Sequence, residues 1–252
     1  MVTKQPTETV KGIKTYTCTV CGATKTEEIP IVVKEPAPKG STIKDKKGVS
    51  YKVTKSDVKN GTVTYKKASS NVSGKVTIPD KVTIDGIVYK VTAIEANAFK
   101  KNKKITKVTI GKYVTSIGKN AFAGCTKLTS VTIGKKVKTI GASAFAGCSK
   151  LKTLKLGEAV TTISDKAFYK CVALTKVTIP SKVSKIGKSA FYGCKKLKTI
   201  TIKTTKLTSK KVGSKAFKGT PKNATVKVPK KSLKAYKKFL VKKGIHKKAK
   251  IR

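Results

Sequence analysis

The chain is poor in the residues that most often carry chemistry in proteins. Its 252 residues include no tryptophan and a single histidine, His246, which follows a predicted helix and should lie on the surface. One histidine excludes a multi-histidine metal site. No nucleophile–base pair and no glycine-rich phosphate loop occurs either, because the scattered Gly-Lys pairs lack the spacing of a nucleotide-binding loop.

Acidic residues are equally scarce, at 11 against 59 basic residues. In the central part of the chain the acids are Glu95, Glu158 and Asp165, which stand at different positions of the repeat described below. General acid–base catalysis needs groups held close together. We therefore predict no catalytic residue, no cofactor and no enzymatic activity.

The net charge is +48, and arginine contributes only Arg252, so 59 − 1 = 58 basic residues are lysine. Base readout favours the two-pronged arginine fork, which argues against specific nucleic-acid recognition. Two interpretations stay open. Lysine fills the solvated positions of the fold, or it attracts a polyanion such as an anionic cell-wall polymer.

Long apolar runs are also missing, so the sequence predicts no transmembrane segment. No secretory signal opens the chain. Met1 stands directly before a polar stretch, and we expect the natural start, with any signal peptide or anchor, to lie upstream.

What the chain has instead is a repeat of 23 residues. Ala-Phe pairs recur at this step from Ala98-Phe99 onward, and the last follows after 26 residues. The phenylalanines are Phe99, Phe122, Phe145, Phe168, Phe191 and Phe217. Four cysteines keep the same step: Cys125, Cys148, Cys171 and Cys194. A fixed period of this length predicts a solenoid whose units bury their apolar faces against their neighbours.

Each position of the repeat has a structural interpretation. Val131-Thr132-Ile133 is typical of a short strand whose outer residues face inward, and successive strands stack in parallel. Gly134 and Gly141 follow apolar residues and are predicted to turn the chain at corners. The Ala144-Phe145 segment is too short for a helix and predicts one 3₁₀ turn, with its ring stacked on those of adjacent coils.

The remaining chain divides into three parts. Residues 1–38 form a small Cys-x-x-Cys module and a proline-containing linker. Residues 39–92 contain two hairpins, around Asn60-Gly61 and Asp85-Gly86, and are predicted to cap the solenoid of residues 93–228. Residues 229–252 predict an amphipathic helical cap that starts at Ser232 and stops at Gly244.

The unit Leu128-x-x-Val131-x-Ile133-Gly134-x-x-Val137-x-x-Ile140-Gly141-x-x-Ala144-Phe145-x-Gly147-Cys148 closely resembles the BspA-like leucine-rich repeat. The resemblance runs from about Val76 to Val228, and Val228-Pro229 onward is similar to the family's C-terminal cap. It implies a mainly β solenoid in a secreted or cell-surface bacterial protein. Adhesion or host contact and a non-enzymatic repeat are implied as well.

The segment Lys14–Thr26 resembles a short module of Gram-positive extracellular proteins, which implies a Gram-positive source. Fuller copies carry an upstream histidine and a cysteine after Pro-Thr, whereas here Glu8 follows Thr7. Cys18 and Cys21 supply half of a tetrahedral zinc site, so a local disulfide, a plain hairpin turn and zinc binding stay open. No residue nearby in the sequence completes the set of zinc ligands, and we predict no metal site. The four cysteines of the repeat, called the ladder cysteines, are expected to lie close enough to one another for disulfides. We predict that they are buried free thiols instead.

The outward side chains of the strands are the remaining candidates for binding. They form two columns of threonine, serine and lysine, which could contact a host protein or a glycan. The residues are Lys107, Thr109, Ser130, Thr132, Thr153, Lys155, Lys176, Thr178, Thr199 and Thr201. The alternative is that threonine is simply a good strand former facing water. We expect the protein to act as a monomer.

Overall fold

The computed structural model describes residues 1–7, 10–31 and 34–252. The module predicted for residues 1–38 contains positions 8, 9, 32 and 33, which lie outside the described residues. In chain order the strands are β1 (Val2–Lys4), β2 (Gly12–Thr17), β3 (Thr24–Ile29), β4 (Thr42–Lys44), β5 (Ser50–Lys55), β6 (Thr62–Lys67), β7 (Gly74–Ile78), β8 (Lys81–Ile84), β9 (Ile87–Ile94), β10 (Ile105–Ile110), β11 (Ser116–Ile117), β12 (Ser130–Thr132), β13 (Thr139–Ile140), β14 (Thr153–Lys155), β15 (Thr162–Ile163), β16 (Lys176–Ile179), β17 (Lys185–Ile186), β18 (Thr199–Ile202), β19 (Thr225–Lys227) and β20 (Lys250–Ile251). A 3₁₀ turn, Lys230–Ser232, leads into the helix α1, Leu233–Leu240.

The predicted solenoid is confirmed. The coils from β7 to β17 contribute one strand to each of two parallel ladders, and beyond β17 the second ladder continues only as the bridge between Ile186 and Val212. The first ladder, called the strand face, contains β7, β10, β12 and β14, followed by β16, β18, β19 and β20. The second contains β9, β11, β13, β15 and β17. Val131 and Ile133 point inward, with 0% and 3% of their surface exposed. The period of two along each strand thus places the branched apolar residues in the core.

A column of stacked aromatic rings runs through that core. Neighbouring phenylalanine centroids lie between 4.8 and 5.6 Å apart from Phe99 to Phe217. The column continues into the N-terminal cap, where Tyr65 stacks on Phe99 at 5.2 Å and Tyr51 meets Tyr65 edge-on at 5.4 Å. The two tyrosines lie outside the repeat, so the period carried no sign of them.

The Ala-Phe segment combines a turn with a ladder. Ala144 donates its N–H to the carbonyl of Gly141, three residues back, at 3.2 Å, as a 3₁₀ turn does. The next N–H, of Phe145, instead donates to Ala167 of the following coil at 2.8 Å. Alternate backbone groups therefore hold the turn and link the coils. At one position of the turn, each coil places a residue other than glycine in the left-handed region, at φ between 54° and 62°: Asn97, Asn120, Ser143, Lys166, Ser189 and Lys215. Lys101 and Lys170 lie in the same region, at φ of 61° and 54°.

Glycine at the corners is required by close approach between coils. A Cβ atom on Gly134 would lie 2.5 Å from the carbonyl oxygen of Gly111 in the preceding coil. That distance is far below van der Waals contact, so a side chain at this corner would force the coils apart. The predicted turn role is correct, and contact between neighbouring coils is the reason for it.

The N-terminal hairpins cover the end of the second ladder. β8 and β9 pair across a two-residue turn in which Asp85 and Gly86 have φ of 50° and 79°, as predicted. β6 adds to β9 in parallel, and β5 and β4 extend the sheet further. The hairpin predicted around Asn60-Gly61 is present, since β5 and β6 pair antiparallel. A longer loop joins β5 to β6, and the Asp57 carboxylate holds it by accepting the N–H groups of Lys59 and Asn60 at 2.9 and 2.7 Å.

The C-terminal helix is present, begins directly after Ser232 as predicted and closes the last coil. Ser232 precedes α1 but makes no side-chain cap hydrogen bond. Tyr236 anchors the helix by donating its hydroxyl to the carbonyl of Thr204 at 2.8 Å. Gly244 ends the following turn with φ of 102°, and β20 then pairs with β19. This short terminal strand was not predicted, because two residues carry no readable alternation.

Candidate functional site

The candidate binding residues lie in register along the strand face. The first column aligns Thr109, Thr132 and Lys155, and the second aligns Lys107, Ser130 and Thr153. Beyond them the same columns continue through two further sets, Thr178 with Thr201 and Lys176 with Thr199. Parallel pairing without a register shift at these residues places like positions side by side.

The strand face is interrupted between β14 and β16, which the sequence did not predict. β14 and β16 are neighbours in space but do not pair, so the strand face consists of two four-stranded sheets. We call this break between β14 and β16 the seam. The coil before it carries Leu154-Lys155-Leu156, where other coils have the β-branched residues valine and isoleucine, and leucine is a weaker strand former. Leu154 and Leu156 are 8% and 7% exposed, whereas Val131 and Ile200 are fully buried.

Exposure divides the ten candidates into two groups. Five are open to solvent: Lys107, Thr153, Lys155, Lys176 and Thr178. The others, Thr109, Ser130, Thr132, Thr199 and Thr201, are half-buried. Lys155 and Lys176 lie on the two sides of the seam, and no acidic residue occurs in either column. The surface that a ligand meets is therefore cationic and rich in hydroxyl groups, with its exposed lysines concentrated at the seam.

The ladder cysteines are buried, unpaired thiols with a hydrogen-bonding role. Cys148 donates its S–H to the carbonyl of Phe122 in the preceding coil at 3.2 Å, and the other three repeat this contact. Burial raises the pKa of the Cys125 and Cys194 thiols to about 12 and that of the Cys148 and Cys171 thiols well above the usual value. They are therefore protonated structural groups at neutral pH.

Cys18 and Cys21 form a hairpin turn and are exposed, free thiols. The Cys21 N–H donates to the Cys18 sulfur at 3.4 Å, and this backbone contact lowers the pKa of the Cys18 thiol. Within the described ranges, no group of three His, Cys, Asp or Glu side chains is arranged to hold a metal ion. Over the same residues no helix has the length and apolarity needed to cross a bilayer.

Two acidic side chains accept backbone N–H groups from the following coil. Asp165 accepts the N–H of Lys188 in the following coil at 2.8 Å, and Asp80 accepts that of Lys112 at 2.6 Å. This hydrogen bond lowers the pKa of the Asp80 carboxyl. The positions of Asp80 and Asp165 in the sequence are thus explained by individual links between coils.

Two half-buried aromatic features were not predicted from the sequence. Tyr169 and Tyr192 follow ladder phenylalanines directly and stack at 5.2 Å on the outside of the turn. Tyr113 has the ammonium groups of Lys90, Lys112 and Lys136 within 6.0 Å of its ring centroid. The signal for the first was a tyrosine repeated at the 23-residue step.

The architecture is that of a leucine-rich repeat solenoid with a cap at each end. The repeat region matches the family model for the BspA type leucine rich repeat region, in six copies over residues 92–224 and 161–243. The chain belongs to the BspA-type leucine-rich repeat proteins. A comparison with curated proteins gives no match.

Solved structures agree with this assignment. A leucine-rich cell surface protein from Faecalibacterium prausnitzii is 28% identical, with a TM-score of 0.54 over 76% of this chain and 55% of that one. A leucine-rich repeat protein from Bacteroides ovatus is 25% identical, with a TM-score of 0.50 over 79% of this chain and 59% of that one. The chain thus spans little more than half the length of these two proteins. The T. pallidum leucine-rich repeat protein shares the fold. It is 20% identical, with a TM-score of 0.53 over 85% of this chain and 98% of that one.

Proposed function

We propose that the protein acts at a bacterial cell surface as a binding or adhesion protein that recognises a host protein or glycan through its strand face. The observation that carries the proposal is the register of the two outward columns, which present hydroxyl and ammonium groups at a regular spacing. The similar cell surface protein of F. prausnitzii supports the location. Strands held in register lower the entropy cost of binding, because the residues that contact the ligand are already ordered.

An array of host extracellular proteins and glycans, screened at about 0.15 M and about 1 M salt, finds the ligand. The variant Lys155→Glu/Lys176→Glu then reverses the two charges at the seam. We expect its affinity for the ligand to fall by about tenfold or more, since close charge pairs contribute over 1 kcal/mol. The matched control Lys119→Glu/Lys210→Glu makes the same change in net charge away from the strand face. Unchanged binding by the seam variant contradicts the proposal.

A second function is favoured by the charge of +48. In this alternative the protein is a structural component held to the wall by lysine attraction to anionic polymers. Counterion release then gives a steep loss of affinity with salt, and the dependence follows the number of phosphate contacts. Isolated Gram-positive walls, intact or stripped of their phosphate polymers, provide the assay. Retention that survives about 1 M salt, or that persists on stripped walls, rules this function out.

A further inference from the structure

One end of the strand face is open. β7 pairs with β10, and no strand of the described chain pairs with its other edge. The cap strands extend the second ladder instead, and at the opposite end of the solenoid β20 covers β19. An unpaired strand edge presents backbone donors and acceptors that can accept another strand.

The direction of the backbone N–H and C=O groups at this edge can be inferred from the equivalent residues of later coils. Thr153 donates its N–H to the carbonyl of Thr129 in the preceding coil at 3.1 Å. Lys155 accepts the N–H of Ile133 in that same coil at 2.8 Å. Lys75 and Thr77 hold these two register positions in β7, where no preceding strand exists. In a parallel ladder both backbone groups of such a residue point to the same side. Their N–H and C=O groups therefore point away from the solenoid.

A cavity of about 510 Å³ lies beside this edge. Val49, Val76 and Val82 contribute apolar surface to it, and Tyr65 lines it with a hydroxyl that makes no hydrogen bond within the described residues. The cavity is also lined by four lysines: Lys46, Lys47, Lys75 and Lys81. This combination suits an extended segment with apolar side chains on one face and acidic ones on the other.

The charges that line the cavity indicate which kind of ligand it can bind. Among the described residues that line the cavity, Asp45 is the only acidic one. Its oxygens already accept the N–H groups of Lys47 and Val49 at 2.9 Å and the Tyr51 hydroxyl at 3.1 Å. The lysines are left without a nearby carboxylate partner in the cavity. A second copy of this chain would bring a further +48, so self-association through this edge is opposed.

We infer that the free edge of β7 docks an extended acidic peptide of a partner protein, which adds as a strand to the strand face. Main-chain hydrogen bonds to Lys75 and Thr77 hold the peptide, and its side chains alternate between the valine-lined cavity and the lysines. The site lies at the N-terminal end of the solenoid and does not depend on the ligand of the strand face.

The test uses a synthetic peptide of alternating glutamate and valine, labelled for fluorescence anisotropy and titrated with the full chain. Thr77→Pro removes an outward N–H that makes no ladder bond, and an edge strand tolerates proline at such a position. Thr77→Val is the matched control, because it keeps the N–H. We expect the natural chain and Thr77→Val to bind with a Kd below about 1 mM and Thr77→Pro to bind about tenfold more weakly.

A second arm removes the hydrogen bonds from the ligand. A peptide methylated at alternate backbone nitrogens keeps its charge and side chains, and we expect about tenfold weaker binding to the unaltered chain. This arm also applies if Thr77→Pro fails to fold. Equal binding of both peptides, or of natural chain and Thr77→Pro, means that lysine attraction alone acts and overturns the inference. No binding at about 1 mM overturns it as well.

Discussion

At the scale of single residues, the ladder cysteine position does two things at once. Cys148 packs in the core and donates to the carbonyl of Phe122 at 3.2 Å. In the first coil Asn102 replaces it and donates its side-chain amide to Val72 at 3.1 Å. In the last coil Thr220 stands at this position, and its hydroxyl has no partner within the described residues. The sequence predicted the packing role, but a period cannot show a hydrogen bond.

Thr220→Val should stabilise the protein by about 1 kcal/mol, because it removes a buried hydroxyl that is not hydrogen-bonded and keeps the shape of the side chain. Thr220→Ser is the control, since it keeps the hydroxyl and loses the methyl group. Urea titrations followed by circular dichroism give the midpoints. A lower midpoint for valine than for threonine would show that the hydroxyl has a partner.

The six thiols should react in two classes. In the folded protein under reducing conditions, iodoacetamide should label the exposed Cys18 and Cys21 and leave the four buried cysteines intact until urea is added. The thiolate is the reactive form of cysteine. Because the pKa of Cys18 is lowered, its alkylation rate should reach half of its maximum at a lower pH than that of a free cysteine. Mass spectrometry of peptides across a pH series gives both results. Labelling of Cys148 without urea contradicts the burial.

At the scale of elements, the aromatic column joins the coils to one another. Phe145 has ring neighbours on both sides, at 5.0 and 5.4 Å, whereas the only phenylalanine next to Phe217 lies at 5.6 Å. Both rings are fully buried. The column position therefore sets how many ring contacts a phenylalanine makes.

Phe145→Ala should lower the free energy of unfolding by about 3–5 kcal/mol, which is the cost of a large buried cavity. Phe217→Ala should cost about 1 kcal/mol less, because one aromatic pair is lost instead of two. Chemical denaturation of both variants measures the difference. Phe145→Leu, which fills part of the cavity, should fall between Phe145→Ala and the natural chain. An equal loss at the two alanine positions would mean that stacking adds nothing to burial.

Element prediction succeeded where a residue type repeats or where a turn has a local signature, as at Asp85-Gly86, and it missed contacts that are made once. The strands, corners and ring stack of each coil follow from positions such as Val131, Gly134 and Phe145, which recur with the period. The hairpin around Asn60-Gly61 was predicted, but the Asp57 carboxylate that holds its loop by accepting the Asn60 N–H at 2.7 Å was not. The seam also escaped prediction, since pairing depends on the relative position of two coils and not on one unit.

At the scale of the whole molecule, like charge dominates. Ion pairs are few within the described ranges. They include Lys11–Glu28, Lys55–Asp57 and Lys112–Asp80. With a net charge of +48, the remaining lysines repel one another in the folded state.

Potassium chloride should therefore raise the thermal midpoint as its concentration increases from about 0.01 to about 0.3 M, because the Debye length shortens from about 30 Å to below 8 Å. Differential scanning fluorimetry measures the midpoint, and sucrose of equal osmolality serves as the uncharged control. A midpoint that is flat or falls with salt would show that the lysines are already neutralised by contacts within the fold.

The candidate site was predictable as a set of positions but not as a surface. Alternation along the strands assigned Thr132 and Lys155 to the outside, and the structure places them there in register. The half-burial of Thr132 and the open edge at Thr77 depend on neighbouring coils and caps, which have no counterpart in the local pattern.

The seam between β14 and β16 also bears on how the molecule responds to force. The hydrogen bonds of the strand face run along the long axis of the solenoid, so stretching the molecule along that axis loads them directly. Between these two strands the ladder is interrupted, while β15 and β17 still pair on the second ladder. Tension is carried there by the second ladder and by the Ala-Phe turns, where Phe168 donates its N–H to Ala190 at 2.8 Å. We therefore expect the coils to open first at the strand face.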